Sequence, residues 1–183
     1  MKHSYLFLAD GFEEIEALAT VDVLRRAQME VITVSINRDT VVTGAHGVAV
    51  TADATIANVD LDTDTEWLIC PGGMPGASHL AADAKLTDML VRHHAAGGKI
   101  AAICASPALV LWTAGVIDGR HFTCYPGMEP EDCGDLYTGD PVVAFDTLIT
   151  GNGPASTLAF AYSIVAATKG VDVASEVAKA MMY

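Results

Sequence analysis

Positive charge is scarce in this chain. Against 23 aspartates and glutamates stand only 10 lysines and arginines in 183 residues, a formal net charge of −13. That balance argues against nucleic acid and against anionic membrane surfaces as partners. Charged residues of both signs make up 18% of the chain and hydrophobic residues 51%, which excludes a disordered polymer. Uninterrupted apolar spans are also missing. Two uncharged stretches approach membrane length, Ile100 to Ile117 and Thr147 to Thr168, but the first contains Ser106 and Pro107 and the second Gly151-Asn-Gly-Pro154. Each divides into strand, turn and helix. The four cysteines, Cys70, Cys104, Cys124 and Cys133, form no CxxC pair and no Cys/His ligand spacing, so no metal site is expected. The start, Met1-Lys-His-Ser-Tyr, lacks a signal-peptide pattern, which leads to the expectation of a cytoplasmic protein with reduced thiols. No repeat, low-complexity tract or linker interrupts the chain, and its length suits a single domain, 1–183, with a substantial core.

What is present is an alternation. Tyr5 to Ala9 reads as a short apolar strand, followed by the turn Asp10-Gly11 and a helix from about Glu13 to Ala27. Asp10 and Glu13 have the spacing of a capping box. Ile15, Leu18, Val21 and Leu24 provide an apolar stripe, and Arg25 and Arg26 suit the helix C-terminus. Asp22 is expected to be partly buried and paired with one of these arginines. Glu30 to Ser35 is a second strand, and Val41-Val-Thr43 with Val48-Ala-Val-Thr51 reads as a hairpin off the main sheet. Trp67 to Cys70 is a buried strand ending in Pro71-Gly-Gly-Met-Pro-Gly76, where backbone can approach a ligand closely. A helix over Ala84 to Ala95 follows, then the strand before Cys104, a short strand His121 to Thr123, and an irregular loop from Tyr125 to Asp135. Val142 to Phe145 and Leu148 to Thr150 read as paired strands, with helices from about Ala155 to Thr168 and from Asp172 to Met181. Strands alternating with helices predict a parallel sheet covered on both faces, with a site at the carboxyl ends of the strands.

One stretch organises the rest: Ile100-Ala-Ala-Ile-Cys104-Ala-Ser-Pro-Ala-Leu-Val-Leu-Trp112. A buried strand ends at Cys104, and a helix is expected over Ala105 to Thr113, with Ser106 as its cap and Pro107 at its first position. A cysteine at a helix N-terminus feels the positive end of the dipole and free N–H groups, which implies a depressed pKa and a reactive thiolate. The alternative is a small buried hydrophobe. The reactive reading gains because Asp10 to Glu16, Pro71-Gly-Gly73, Cys104 and Gly151 to Pro154 all fall at the same sheet edge. Glu16 is either a solvated first-turn acid or a proton carrier whose affinity is set by dipole, desolvation and the neighbouring Glu13 and Glu14.

Asp10-Gly-Phe-Glu-Glu-Ile-Glu16, Cys70-Pro-Gly-Gly-Met-Pro-Gly76, Ala101-Ala-Ile-Cys-Ala-Ser-Pro107 and Thr150-Gly-Asn-Gly-Pro154 together resemble the ThiJ/PfpI superfamily. The similarity spans nearly the whole chain and lies nearest the branch that includes the Parkinson-disease protein deglycase. The resemblance implies a flavodoxin-like α/β three-layer sandwich, usually homodimeric, with an elbow cysteine as nucleophile and no cofactor. It places the reactive cysteine at Cys104 and its glutamate partner at Glu16. It places the oxyanion-hole turn at Gly72 and Gly73, and at His46 a basic residue offered to the site by a partner subunit. Ala105, Tyr125, Asn152 and Pro154 are then expected around the substrate. Two departures matter. Ala105 stands where the protease-like branch carries histidine after the nucleophile, which argues against peptidase activity. Tyr125 stands where some relatives have histidine, and a tyrosine is a poor base at neutral pH.

The implied reaction is conversion of a small α-oxoaldehyde, such as methylglyoxal, to a hydroxy acid, with Cys104 attacking the aldehyde and Glu16 carrying a proton. The competing reading is a non-enzymatic oxidative-stress sensor or chaperone that uses an oxidisable Cys104. Outside the site, Cys70 is expected in the core, Cys124 near the site as a secondary thiol, and Cys133 in a loop. His3, His79, His93, His94 and His121 show no ligand spacing, and the His93-His94 pair is expected on a helix surface.

Overall fold

The computed structural model describes residues 2–183. Strand β1 (His3–Leu8) alternates its side chains across the sheet: Leu6 and Leu8 enter one core, Tyr5 and Phe7 the other. The same two-residue period splits Trp67 and Ile69 from Leu68 and Cys70 on β6 (Thr65–Cys70), and Ala101 and Ile103 from Ile100 and Ala102 on β7 (Lys99–Ile103). Apolar residues on both sides of every central strand require helices on both faces, and the chain supplies them.

Helices α1 (Glu14–Arg26), α4 (Thr157–Lys169) and α5 (Val171–Ala180) pack on one side. On the other lie α2 (Gly76–Ala82), α3 (Ala84–Ala95) and the helical segment Pro107–Trp112. The seven-stranded sheet runs β5-β2-β1-β6-β7-β9-β8, with β2 (Glu30–Ser35), β5 (Ala54–Thr55), β8 (Val142–Ala144) and β9 (Leu148–Gly151). All pairings are parallel except β8 with β9. This is the expected flavodoxin-like α/β sandwich. The strand order turns around between β1 and β6, so the carboxyl ends of β1, β6 and β7 open onto one crevice. The hairpin β3 (Val41–Thr43) and β4 (Ala49–Thr51) stands apart as a separate sheet. No helix among the described residues is long and apolar enough to cross a membrane.

Several local expectations are corrected. On α1 the stripe Ile15-Leu18-Val21-Leu24 is only half buried: Val21 and Leu24 face inward, but Ile15 is 57% and Leu18 39% exposed. The helix is rotated so that Glu16, Ala17, Thr20, Val21, Val23 and Leu24 face inward, and it packs against α4. Glu13, not Asp10, caps α1, and the Asp10 carboxylate instead accepts the Thr43 N–H at 2.9 Å, fastening the hairpin. Asp22 pairs with Arg26 at 2.8 Å but is exposed, and Arg25 turns to Asp53 at 2.8 Å. His93 is buried with Nε2 3.2 Å from the Glu66 carbonyl, so that pair is not a surface one. Cys133 lies in a loop, as expected, and is buried there.

The expected strand His121 to Thr123 is reduced to a single bridge between Phe122 and Tyr137, and the Thr123 N–H donates to the Thr150 hydroxyl at 3.0 Å. Helix α2 follows directly on the Pro71–Gly76 turn, in a stretch where no element is expected. The segment after Cys104 is helical but wound in wider, π-type turns, and α4 starts two residues later than expected, after the turn Pro154–Ser156.

Gly151 shows how tightly the layers close: a Cβ there would lie 2.9 Å from Ile103 Cγ1 and 3.3 Å from the Phe160 ring. Phe160 is fully buried between α4 and the sheet. Phe160→Ala is expected to lower unfolding free energy by about 3–5 kcal/mol in urea titrations; a loss below about 1 kcal/mol would mean that this layer is not packed as described.

Candidate active site

The site is assembled from three loop ends at the carboxyl edge of the sheet. From β1, the Asp10-Gly11 turn feeds α1, and Glu13 caps the helix with its Oε2, which accepts the Glu16 N–H at 2.7 Å. That cap aims Glu16 inward, where it is fully buried. From β6, the Pro71-Gly72-Gly73 turn comes within reach: Gly72 N–H donates to Glu16 Oε2 at 2.8 Å, and Glu13 N–H donates to the Gly72 carbonyl at 2.9 Å. From β7, Cys104 turns sharply at φ +64°, a conformation a non-glycine residue holds only when its surroundings enforce it. Here its N–H donates to the Gly151 carbonyl at 2.9 Å and its carbonyl accepts the Tyr125 N–H at 2.7 Å.

The three ends meet at Gly72. A Cβ on that residue would fall 2.5 Å from Cys104 Cβ, 2.8 Å from Glu16 Oε2 and 3.0 Å from Cys104 Sγ. Only glycine fits between the thiol and the carboxylate.

Electrostatics at this point runs against one expectation. Burial pushes the Glu16 carboxyl up from 4.5 to about 7, opposed by the Gly72 N–H. Burial and the adjacent Glu16 charge push the Cys104 thiol up to about 12, opposed by the N–H groups of Gly73 and Ala105. The thiol is therefore not depressed: burial first, and the neighbouring carboxylate second, outweigh the N–H groups. The two groups form a pair that carries one negative charge between these limits. Glu16 Oε1 is buried without a hydrogen-bond partner, so one carboxylate oxygen remains free to receive a proton.

The two glycines of the expected oxyanion turn differ in what their N–H groups do. Gly72 N–H is committed to Glu16, and the N–H groups bearing on the sulfur are those of Gly73 and Ala105. Tyr125, Asn152 and Pro154 do come together, lining with Pro126, Gly153 and Ala155 a cleft of about 340 Å³. Cys104 is not in that lining; it adjoins the cleft through the Tyr125–Cys104 backbone bond. A larger cavity, about 390 Å³, opens at the amino ends of the strands among Lys2, Glu30, Glu66 and Lys169. It lies at the opposite edge, and its lining contains no cysteine.

His46 is not directed at Cys104 of its own chain. Its Nδ1 lies 2.7 Å from Glu14 Oε2 and its N–H donates to Glu14 Oε1 at 2.7 Å, which raises its proton affinity. Glu13, Glu14 and His46 bring one ligand atom each within 4.8 Å, but the cap bond and the His46–Glu14 pair already satisfy them, and we assign no ion there. Cys124 is fully buried in the opposite core, its thiol pushed up to about 12 by burial, so it does not face the site. Ser106 makes no cap; its hydroxyl donates to the Pro71 carbonyl at 2.6 Å. Sequence reasoning missed this bond, which has no local signature, and also the Glu13 cap, which the three-residue spacing to Glu16 contains.

Residues 2–167 match the DJ-1/PfpI family model. The chain belongs to the DJ-1/PfpI family. It is 34% identical over 183 residues to Protein dj-1beta of Drosophila melanogaster, covering 99% of this chain and 97% of that one. It is 33% identical over 170 residues to the glutathione-independent glyoxalase DJR-1.2 of Caenorhabditis elegans, covering 91% and 88%. The solved structure of oxidized Toxoplasma gondii DJ-1 superposes with a TM-score of 0.94 at 35% identity, covering 100% and 99% of the two chains.

A buried acid raised to about 7 has a consequence for stability. Below pH 4.5 Glu16 is neutral in both folded and unfolded chains and carries no charge penalty. As pH rises through 4.5 the unfolded chain ionises first, and folding stability falls until the folded group ionises near 7. The lost stability is about 3 kcal/mol. Glu16→Gln removes this penalty, so its unfolding free energy relative to wild type should grow with pH across that window in urea titrations. A pH-independent difference would show that Glu16 is not a buried acid.

Proposed function

We propose that the chain is a cysteine-dependent, cofactor-independent enzyme acting on small α-oxoaldehydes, a glyoxalase- or deglycase-like lyase or hydrolase that turns methylglyoxal into lactate. The observation that carries the proposal is the free Glu16 Oε1, a buried acceptor beside a cysteine on an elbow. A named glyoxalase among its relatives supports the substrate class.

As Cys104 Sγ adds to the aldehyde carbon, the thiol proton passes to Glu16 Oε1 and on to the carbonyl oxygen, giving a hemithioacetal. The N–H groups of Gly73 and Ala105 steady the charge that develops on sulfur and oxygen. Glu16, ionised again, takes the proton from the former aldehyde carbon and returns it to the adjacent carbon, while the hemithioacetal hydroxyl proton passes to the former ketone oxygen. The product is a lactoyl thioester on Cys104. Water adds to the thioester carbonyl, the C–S bond breaks, sulfur recovers its proton and lactate leaves. Oxidation of one carbon balances reduction of its neighbour, so no external electron carrier takes part. The Tyr125, Asn152 and Pro154 cleft is the substrate approach. Four free, buried cysteines suit a reducing compartment such as the cytoplasm.

The test is lactate formation from methylglyoxal in buffer free of amines and thiols, by wild type, Cys104→Ser and Glu16→Gln. Cys104→Ser should abolish turnover, and Glu16→Gln should lower kcat by about a hundredfold or more, with the wild-type rate inflecting near pH 7. Stoichiometric uptake without turnover in all three proteins would overturn the enzyme reading. A second reading, a stress sensor or chaperone in which peroxide oxidises Cys104 with release of water, takes its support from the relative described as oxidized, and it would then lead.

We also propose a homodimer joined through the face that carries Ile15, Leu18 and Val48. These apolar side chains are exposed on α1 and the hairpin, and His46 stands beside them on the hairpin tip. Wild type should sediment at twice the chain mass and Leu18→Glu at the chain mass. A monomeric wild type would contradict the arrangement.

A further inference from the structure

The Ser106 hydroxyl and the Glu16 carboxylate hold opposite edges of one peptide group. Ser106 Oγ donates to the Pro71 carbonyl at 2.6 Å, and the Gly72 N–H of that same peptide donates to Glu16 Oε2 at 2.8 Å. In a planar trans peptide the carbonyl and the N–H point in opposite directions, so the three groups form a relay across the Pro71-Gly72 bond. All of it is enclosed: Ser106 and Glu16 are both fully buried. A donor on the carbonyl withdraws electron density from the amide and makes its N–H a stronger donor, an effect larger in a low-dielectric interior. The same bond also fixes the plane of the peptide, and with it the direction of the N–H.

We infer that Ser106 is a positioning residue that acts through the Pro71-Gly72 peptide to set how firmly the Gly72 N–H holds the Glu16 carboxylate. It thereby links the helix that follows the nucleophile to the acid that faces it. The hydroxyl opposes what burial does to Glu16, keeping the acid able to give up its proton near neutrality. The titratable groups that bear on Glu16 are few. Cys104 faces it from the elbow and Glu13 from the cap of its own helix, and neither touches the Ser106 hydroxyl. The inference rests on the proposed role of Glu16 only for its consequence in turnover; the relay itself stands on geometry.

The experiment is a titration of the Glu16 carboxyl by NMR in protein labelled with carboxyl-¹³C glutamate, the signal identified by its loss in Glu16→Gln. Ser106→Ala should move the Glu16 midpoint upward by about half a pH unit. Ser106→Cys, which keeps a weaker donor in a similar volume, should fall between Ala and wild type and serves if Ser106→Ala does not fold. A folded variant whose Glu16 titrates at the wild-type midpoint overturns the relay. If the midpoints move as expected but no variant, nor wild type, turns over methylglyoxal, the relay stands and the proposed enzyme function fails.

Discussion

The bond from the Gly72 N–H to the Glu16 carboxylate holds together parts of the chain 56 residues apart, and it does so in a space with no room for a single extra carbon. A buried carboxylate is costly unless it is hydrogen-bonded. One donor satisfies one oxygen of Glu16, and the other oxygen is left facing a buried site. Burial raises the acid toward neutrality against the pull of that donor, and burial together with the Glu16 charge keeps the Cys104 thiol protonated while Glu16 is ionised. Each group sets the state of the other. Neither residue has its chemistry by itself.

The rest of the fold reads as support for that contact. Parallel strands β1, β6 and β7 end together, so their following loops converge. Glu13 fixes the entry of α1 and turns Glu16 inward, and bonds from Gly151 and Tyr125 hold Cys104 at a positive φ. Two cores, one on each face of the sheet, make the strand ends rigid. A site that depends on contacts near 2.8 Å needs such rigidity, because small displacements weaken both hydrogen bonding and charge coupling.

Much of this is legible in the sequence. Alternating strands and helices gave the sandwich, because buried parallel strands must be covered twice. The elbow was legible because a strand of small and β-branched residues runs into Cys104 and then Pro107 within four positions. What was illegible involved orientation. The spacing of Ile15 and Leu18 marks a helix but not which side of it meets the sheet, and the buried side carries Glu16, Ala17 and Thr20 instead. The same holds at Gly72: a glycine turn shows that backbone comes close, but not which N–H is already committed. Ser106 looked like a cap because serine beside proline commonly is one, and only the fold brings Pro71 to it.

The central claim is that Glu16 is a buried acid coupled to Cys104, and its protonated carboxyl stretch in the infrared reports on it directly. That band, assigned by its absence from Glu16→Gln, should persist well above pH 4.5 and vanish with a midpoint near 7. A band that disappears around 4.5, the ordinary range for glutamate, would show a solvated acid and would contradict the account at its root.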